Sequence, residues 1–152
     1  MTFNLYTGEW ENESDRPGFG WRHRRARGEK LGFSLYELPP GERTFPYHFH
    51  YGNEEWLIAV SGAPTLRTPE GERELAPGDT VCFPAGPVGA HQVINLGEEP
   101  ARVVILSTLV EPGVVVYPDS DKLGTRPGVD ADRLNFPRSA AVDYWEGESA
   151  EG

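Results

Sequence analysis

A single cysteine, Cys82, stands among the 152 residues, so no disulfide forms within the chain. No apolar segment opens the chain, and no run of about 20 apolar residues occurs anywhere in it. A signal peptide and a membrane-spanning helix are both excluded on this reading, and a cytoplasmic protein is expected. Basic residues are also in deficit: 14 Lys and Arg against 24 Asp and Glu leave a net charge of -10. Such a chain repels polyphosphate and anionic lipid, so neither nucleic acid nor a membrane surface is expected as a partner. No stretch carries three turns of helical periodicity. No internal repeat, phosphate-binding loop, dinucleotide fingerprint or Ser-His-Asp nucleophile appears.

Glycine and proline are what the chain has in number. Its 18 Gly and 14 Pro fall as punctuation between short apolar runs, the pattern of an all-β protein rich in turns. Strands are expected at Leu31–Leu38, Thr44–His50, Glu54–Ser61, Thr65–Thr68, Arg73–Leu75, Thr80–Phe83, His91–Asn95, Arg102–Leu109 and Val114–Tyr117, nine to ten in all and evenly spaced. Residues 1–20 read as an irregular arm whose aromatics (Phe3, Tyr6, Trp10, Phe19) dock on the barrel or on a second subunit. The chain divides into an arm and edge strand at 1–30, a barrel at 31–118 and a polar C-terminal extension at 119–152, all in one domain.

Two stretches concentrate chemistry. In Gly41–Gly62, His48 and His50 are two apart, so on an extended strand both imidazoles point to one face. Read alone, the pair also fits two surface histidines. Glu55 follows at the start of the apolar run Trp56–Val60, with Glu54 as its rival. In Gly78–Asn95 stands His91, which alone fits a core histidine bonded to a carbonyl. His23 falls outside both stretches, inside the basic run Arg22–Lys30, and is expected on the surface. That run reads either as a solvated basic strand or as an anchor for an anionic ligand or a partner subunit. Cys82 is expected to be an inert buried thiol, and Asn95 to fix a loop.

These two stretches resemble the paired motifs of the cupin superfamily. Gly41, six residues, His48-x-His50, four residues, Glu55, six residues and Gly62 follow the first motif, with one residue more than its usual five after the glycine. The same count from Glu54 leaves seven, which favours Glu55. Gly78, Pro84, Gly86, His91 and Asn95 follow the second, with four residues between Gly86 and His91 where the pattern has two. The resemblance implies a jelly-roll (double-stranded β-helix) barrel. It also implies one divalent metal ion held by His48, His50, Glu55 and His91, with about two positions left open on an octahedral ion. Iron, manganese, nickel, zinc and copper all suit such donors.

The function expected from the resemblance is a metal-dependent cupin that binds a small oxygen-bearing substrate, with dioxygenase, decarboxylase or isomerase chemistry. The alternative is a non-catalytic cupin that binds or senses a carbohydrate or carboxylate. No acid or base beyond the metal group stands out. Tyr36, Phe45, Trp56, Phe83 and Ile105 are the candidates to line the substrate pocket. Tyr117, Asp119 and Asp121 form a polar cluster near its mouth or a solvated loop. A homodimer is expected as well, its open sheet edges covered by the N-terminal arm.

Overall fold

The computed structural model describes residues 2–150. In chain order its strands are β1 (Asn12–Arg16), β2 (Phe19–Arg27), β3 (Leu31–Leu38), β4 (Phe49–Tyr51), β5 (Glu55–Ser61) and β6 (Thr65–Thr68). There follow β7 (Gly71–Glu74), β8 (Thr80–Phe83), β9 (Gln92–Ile94), β10 (Ala101–Thr108), β11 (Gly113–Tyr117), β12 (Lys122–Arg126) and β13 (Asn135–Pro137). Among the described residues the only helices are single 3₁₀ turns, and none is long and apolar enough to cross a membrane.

All pairings are antiparallel. One sheet runs β1-β2-β3-β10-β5-β8, a second β13-β12-β11-β4 and a third β7-β6-β9. This is the expected all-β jelly roll, with more strands than the apolar runs announce. β1 and β13 are short and largely exposed, and β12 is short and half-buried, so no strongly alternating pattern marks them. Residues 1–20 are therefore not wholly irregular: β1 pairs with β2, and β2 with β3. The strand expected at Thr44–His50 is also shorter. Residues 44–47 bend, and Pro46 among them has no N–H to give a ladder. Regular pairing begins at Phe49.

Alternation sets which side chains point inward. On β5, Glu55, Leu57 and Ala59 are buried while Trp56 is exposed. Across the large sheet the inward residues pair in transverse rows. One row holds His23, Tyr36, Val103 and Ala59; the next holds Arg25, Ser34, Ile105, Leu57 and Val81. The last holds Arg27, Gly32, Ser107, Glu55 and Phe83. The barrel interior thus passes from aliphatic to polar along its axis. Its closed end is packed by Leu38, Leu57, Leu66, Val93 and Val103, and the functional residues lie toward the other end.

The N-terminal arm covers the outer face of its own sheet. Arg24 donates to the carbonyls of Thr7 and Asn4. Trp10 lies over the guanidiniums of Arg22 and Arg102, and Phe3 meets Phe33 edge-on at 5.0 Å. Beneath Trp10, Glu37 accepts from Arg22 on one neighbouring strand and from Arg102 (2.7 Å) on the other. At the other terminus, Tyr144 and Trp145 pack on one another and are largely exposed.

Burial alone would raise the Glu37 carboxyl pKa. The hydrogen bonds and charges of Arg102 and Arg22 outweigh it and hold the group below its ordinary 4.5. Folding therefore favours the carboxylate form. Its contribution is complete above the ordinary carboxylate range and is lost as pH falls through the lowered folded value. Glu37→Gln is expected to cost about 1–3 kcal/mol at neutral pH, with the gap to wild type closing in acid. Urea unfolding of both proteins at neutral and acidic pH measures this, and a gap independent of pH would refute it.

Candidate metal centre and its cavity

The two histidine-bearing stretches are joined directly by backbone. His48 N–H donates to the His91 carbonyl at 3.1 Å, and His91 N–H returns a bond to the His48 carbonyl at 2.9 Å. Gly86 N–H donates to the His50 carbonyl at 2.8 Å. This isolated bridge sets the rings side by side, with centroids 4.7 Å apart for His48 and His91 and 5.0 Å for His48 and His50. β5 then brings Glu55 in from the opposite sheet. Ligand atoms of His48, His50 and Glu55 all lie within 4.8 Å of one another. His91 adjoins them: one Glu55 oxygen, Oε2, is 3.4 Å from the Nε2 atoms of both His50 and His91.

The donor set fits a divalent cation. His48 Nδ1 lies 2.8 Å from the Pro46 carbonyl, and His91 Nδ1 lies 2.9 Å from that of Gly89. A carbonyl only accepts, so each Nδ1 carries the proton and each Nε2 keeps its lone pair for a ligand. Burial, reinforced by the neighbouring His91 and His50, lowers the His48 pKa to about 3. Burial also lowers that of His91. For Glu55, burial acts upward, but the imidazoles around it prevail and bring the carboxyl to about 2. Neutral imidazoles and an ionised carboxylate are the forms that bind metal. Among the described residues, no Lys or Arg forms an ion pair with this buried anion, and an unpaired buried charge is costly. Glu54 is exposed and accepts from Trp56 Nε1 instead.

The centre opens on a cavity of about 380 Å³. Tyr36, Phe45 and Ile105, three of the five expected pocket residues, line it. Phe83 stands behind His91 instead, stacked on its ring at 3.8 Å and 7°. Trp56 is a correction: it is 43% exposed and lines an outer groove with Leu31, Ile58 and Leu106. Glu55 and Trp56 are adjacent on one strand, and only one of them can face inward. His23 is a second correction. It is buried, not on the surface, and stacks on Tyr36 at 5.4 Å, because the pleat of β2 turns it inward with Trp21. Cys82 is half-buried and pairs with outward Trp56; burial raises its pKa.

Asn95 is fully buried and ties three segments. Its amide donates to the carbonyls of Leu38 and Glu99, and its side-chain oxygen accepts from Gly97 N–H. Of the polar cluster after β11, Tyr117 lines the cavity. Asp119 pairs with Arg67 and Asp121 lies 3.6 Å from Arg138. Four cavity residues draw no notice as individuals in the sequence: Arg25, Arg27, Arg126 and Arg133. The first two lie in the basic run; nothing local marks the last two.

Residues 34–107 match a family model described as a cupin domain. A candidate sugar phosphate isomerase from Acidithiobacillus ferrooxidans is 26% identical over 83% of this chain and 81% of its own, with a TM-score of 0.74. A sugar phosphate isomerase from Silicibacter pomeroyi, described as a cupin, is 24% identical over 93% and 95%, with a TM-score of 0.80. A candidate oxalate decarboxylase from Thermotoga maritima is 18% identical over 60% and 82%, with a TM-score of 0.54. These last two similarities concern the fold alone. No curated protein matches the chain.

The lengthened turn before His91 is a 3₁₀ turn, Pro87–Gly89, that closes against Pro84. A Cβ on Gly89 would stand 1.9 Å from the Pro84 carbonyl oxygen, and the Gly89 carbonyl is the one that holds the His91 ring. Gly89→Ala is therefore expected to destabilise the fold by about 1–3 kcal/mol, read by denaturant unfolding. Wild-type stability in that variant would mean that the turn is not packed as described.

Proposed function

The chain is a small protein of the cupin superfamily, and on that premise we propose that it is a metal-dependent enzyme of the isomerase type acting on a small oxygen-bearing substrate. The observation that carries this is the buried Glu55 anion, gathered with His48 and His50 and offset by no lysine or arginine, at the base of a cavity of small-molecule size. His91 is the fourth ligand in this reading. The resemblance to the Acidithiobacillus candidate isomerase supports isomerisation over decarboxylation.

A bound divalent ion supplies Lewis acidity to a substrate oxygen. The chain's own residues do the rest. Pro46 and Gly89 carbonyls fix the ring orientation of His48 and His91. Tyr36, whose phenol burial keeps protonated, donates a hydrogen bond from the cavity wall, with Ser34, Ser107 and Thr108 as further hydroxyl partners for a polyhydroxylated substrate. Ile105 and Phe45 close the apolar side and exclude water.

Elemental analysis of protein purified without added metal tests the centre. It is also the measurement that names the ion among iron, manganese, nickel, zinc and copper. His48→Ala and His91→Ala are each expected to lower bound metal at least about tenfold, while Glu54→Gln leaves it unchanged. Full metal content in both histidine variants would remove the centre. Turnover of a bound sugar-like ligand by the metal-loaded protein separates the enzyme from a cupin that only binds.

A further inference from the structure

The metal centre accounts for one end of the cavity and leaves four arginines on its wall unexplained. They come from three parts of the chain: Arg25 and Arg27 from β2, Arg126 from β12, and Arg133 from the loop before β13. The chain carries a net charge of -10, yet the cavity lining sets these four guanidiniums against only two carboxylates, Glu55 and Glu111. Glu55 belongs to the metal group. Glu111 lies 3.6 Å from Arg27. Among the described residues no ion pair joins Arg25, Arg126 or Arg133 to a carboxylate. Glu11 does approach Arg25, but its carboxylate accepts from the backbone N–H.

Neutral groups hold one of these arginines in place. Arg126 donates to the Tyr117 hydroxyl at 2.9 Å and to the Thr125 carbonyl at 2.7 Å, while Arg25 faces Tyr36 across the cavity lining. Both tyrosines line the cavity as well. The Arg126 guanidinium is therefore oriented without being neutralised, and such a fork suits an oxyanion.

The rows of the sheet give the span. Arg27, Gly32, Ser107 and Glu55 occupy one transverse row, which is three inter-strand steps, or about 14 Å of backbone spacing. The two residues between are the small Gly32 and Ser107, and the Leu109 side chain packs over Gly32. Arg27 and Glu55 line one cavity across that row. Depth separates the ends: His48, Glu55 and His91 are buried, whereas Arg25, Arg27 and Arg133 are exposed.

We infer that the cavity mouth is a phosphoryl-binding subsite formed by Arg25, Arg27, Arg126 and Arg133, and that the substrate is a small polyhydroxylated phosphomonoester. Its phosphoryl group lies among these arginines, and its oxygenated end reaches the His48–His50–Glu55 group. A carboxylate has one charge and two coplanar oxygens, which one guanidinium fork satisfies. A phosphoryl dianion has three oxygens and takes forks from several directions. Three uncompensated arginines from separate elements match the second. The placement of the oxygenated end rests on the metal reading proposed above; the arginine subsite does not.

The test is calorimetric titration of the full chain, metal-loaded and after chelation, with a panel of three- to six-carbon sugar phosphates, their unphosphorylated parents and the corresponding sugar acids. At least one phosphate ester is expected to bind about tenfold or more tightly than its parent and its acid. Arg25→Ala and Arg133→Ala, both at exposed positions, are each expected to remove most of that preference while metal content and thermal stability stay at wild-type values. Arg126→Lys keeps the charge but loses the fork, and falls between. No phosphate preference in any pair, equal or tighter binding of the sugar acids, or arginine variants that bind as wild type would each overturn the subsite. A phosphate preference that survives chelation upholds it independently of the metal. A wild-type protein without metal would count against the centre alone.

Discussion

A carboxylate enclosed by imidazoles is the constraint on which this structure turns. Glu55 is buried, ionised and gathered with His48 and His50, with His91 beside it. The protein supplies no guanidinium or ammonium to offset it. The imidazoles around it, His50 first, favour its ionised form, while burial disfavours protonation of His48 and His91. The backbone bridge between His48 and His91 maintains this arrangement, because it joins two stretches 43 positions apart at the residues that carry the rings.

Charge is distributed in the opposite sense inside and outside. The chain is acidic overall, while the cavity mouth is basic and its floor is a cluster of imidazoles and one carboxylate. Acidic surroundings disfavour large polyanions in general, and a small anion that enters the cavity is freed from them by proximity to the arginines. The strand register produces this directly. β2, β3, β10 and β5 each present apolar residues inward at one end and small or polar ones at the other, and antiparallel pairing aligns those ends.

The basic run of β2 shows how one strand serves two faces. Arg22 and Arg24 point outward, where they bind Glu37, Trp10 and the carbonyls of the N-terminal arm. His23, Arg25 and Arg27 point inward, to Tyr36 and the cavity. The outward residues are covered by the arm, and the inward ones face the barrel interior. The arm held by the outer set lies on the sheet whose inner face carries the site.

Local pattern was enough for much of this. The spacing of glycines and prolines implied an all-β chain, the His-x-His parity placed two rings on one face, and the count to Gly62 separated Glu55 from Glu54. Trp56 was misread because a residue next to an inward Glu55 must face outward, a parity that the strand imposes whatever the residue's size. His23 was misread because its charged neighbours suggest solvent, whereas burial on a pleated strand is decided every second residue. The amino-acid sequence by itself determined most of the central strands and that His48 and His50 share a face, since both follow from a period of two residues. Only the tertiary structure decided that His91 adjoins His50 and Glu55 and that Arg126 and Arg133 join Arg25 and Arg27 around one cavity. Those meetings depend on long-range strand pairing, and no local periodicity encodes them.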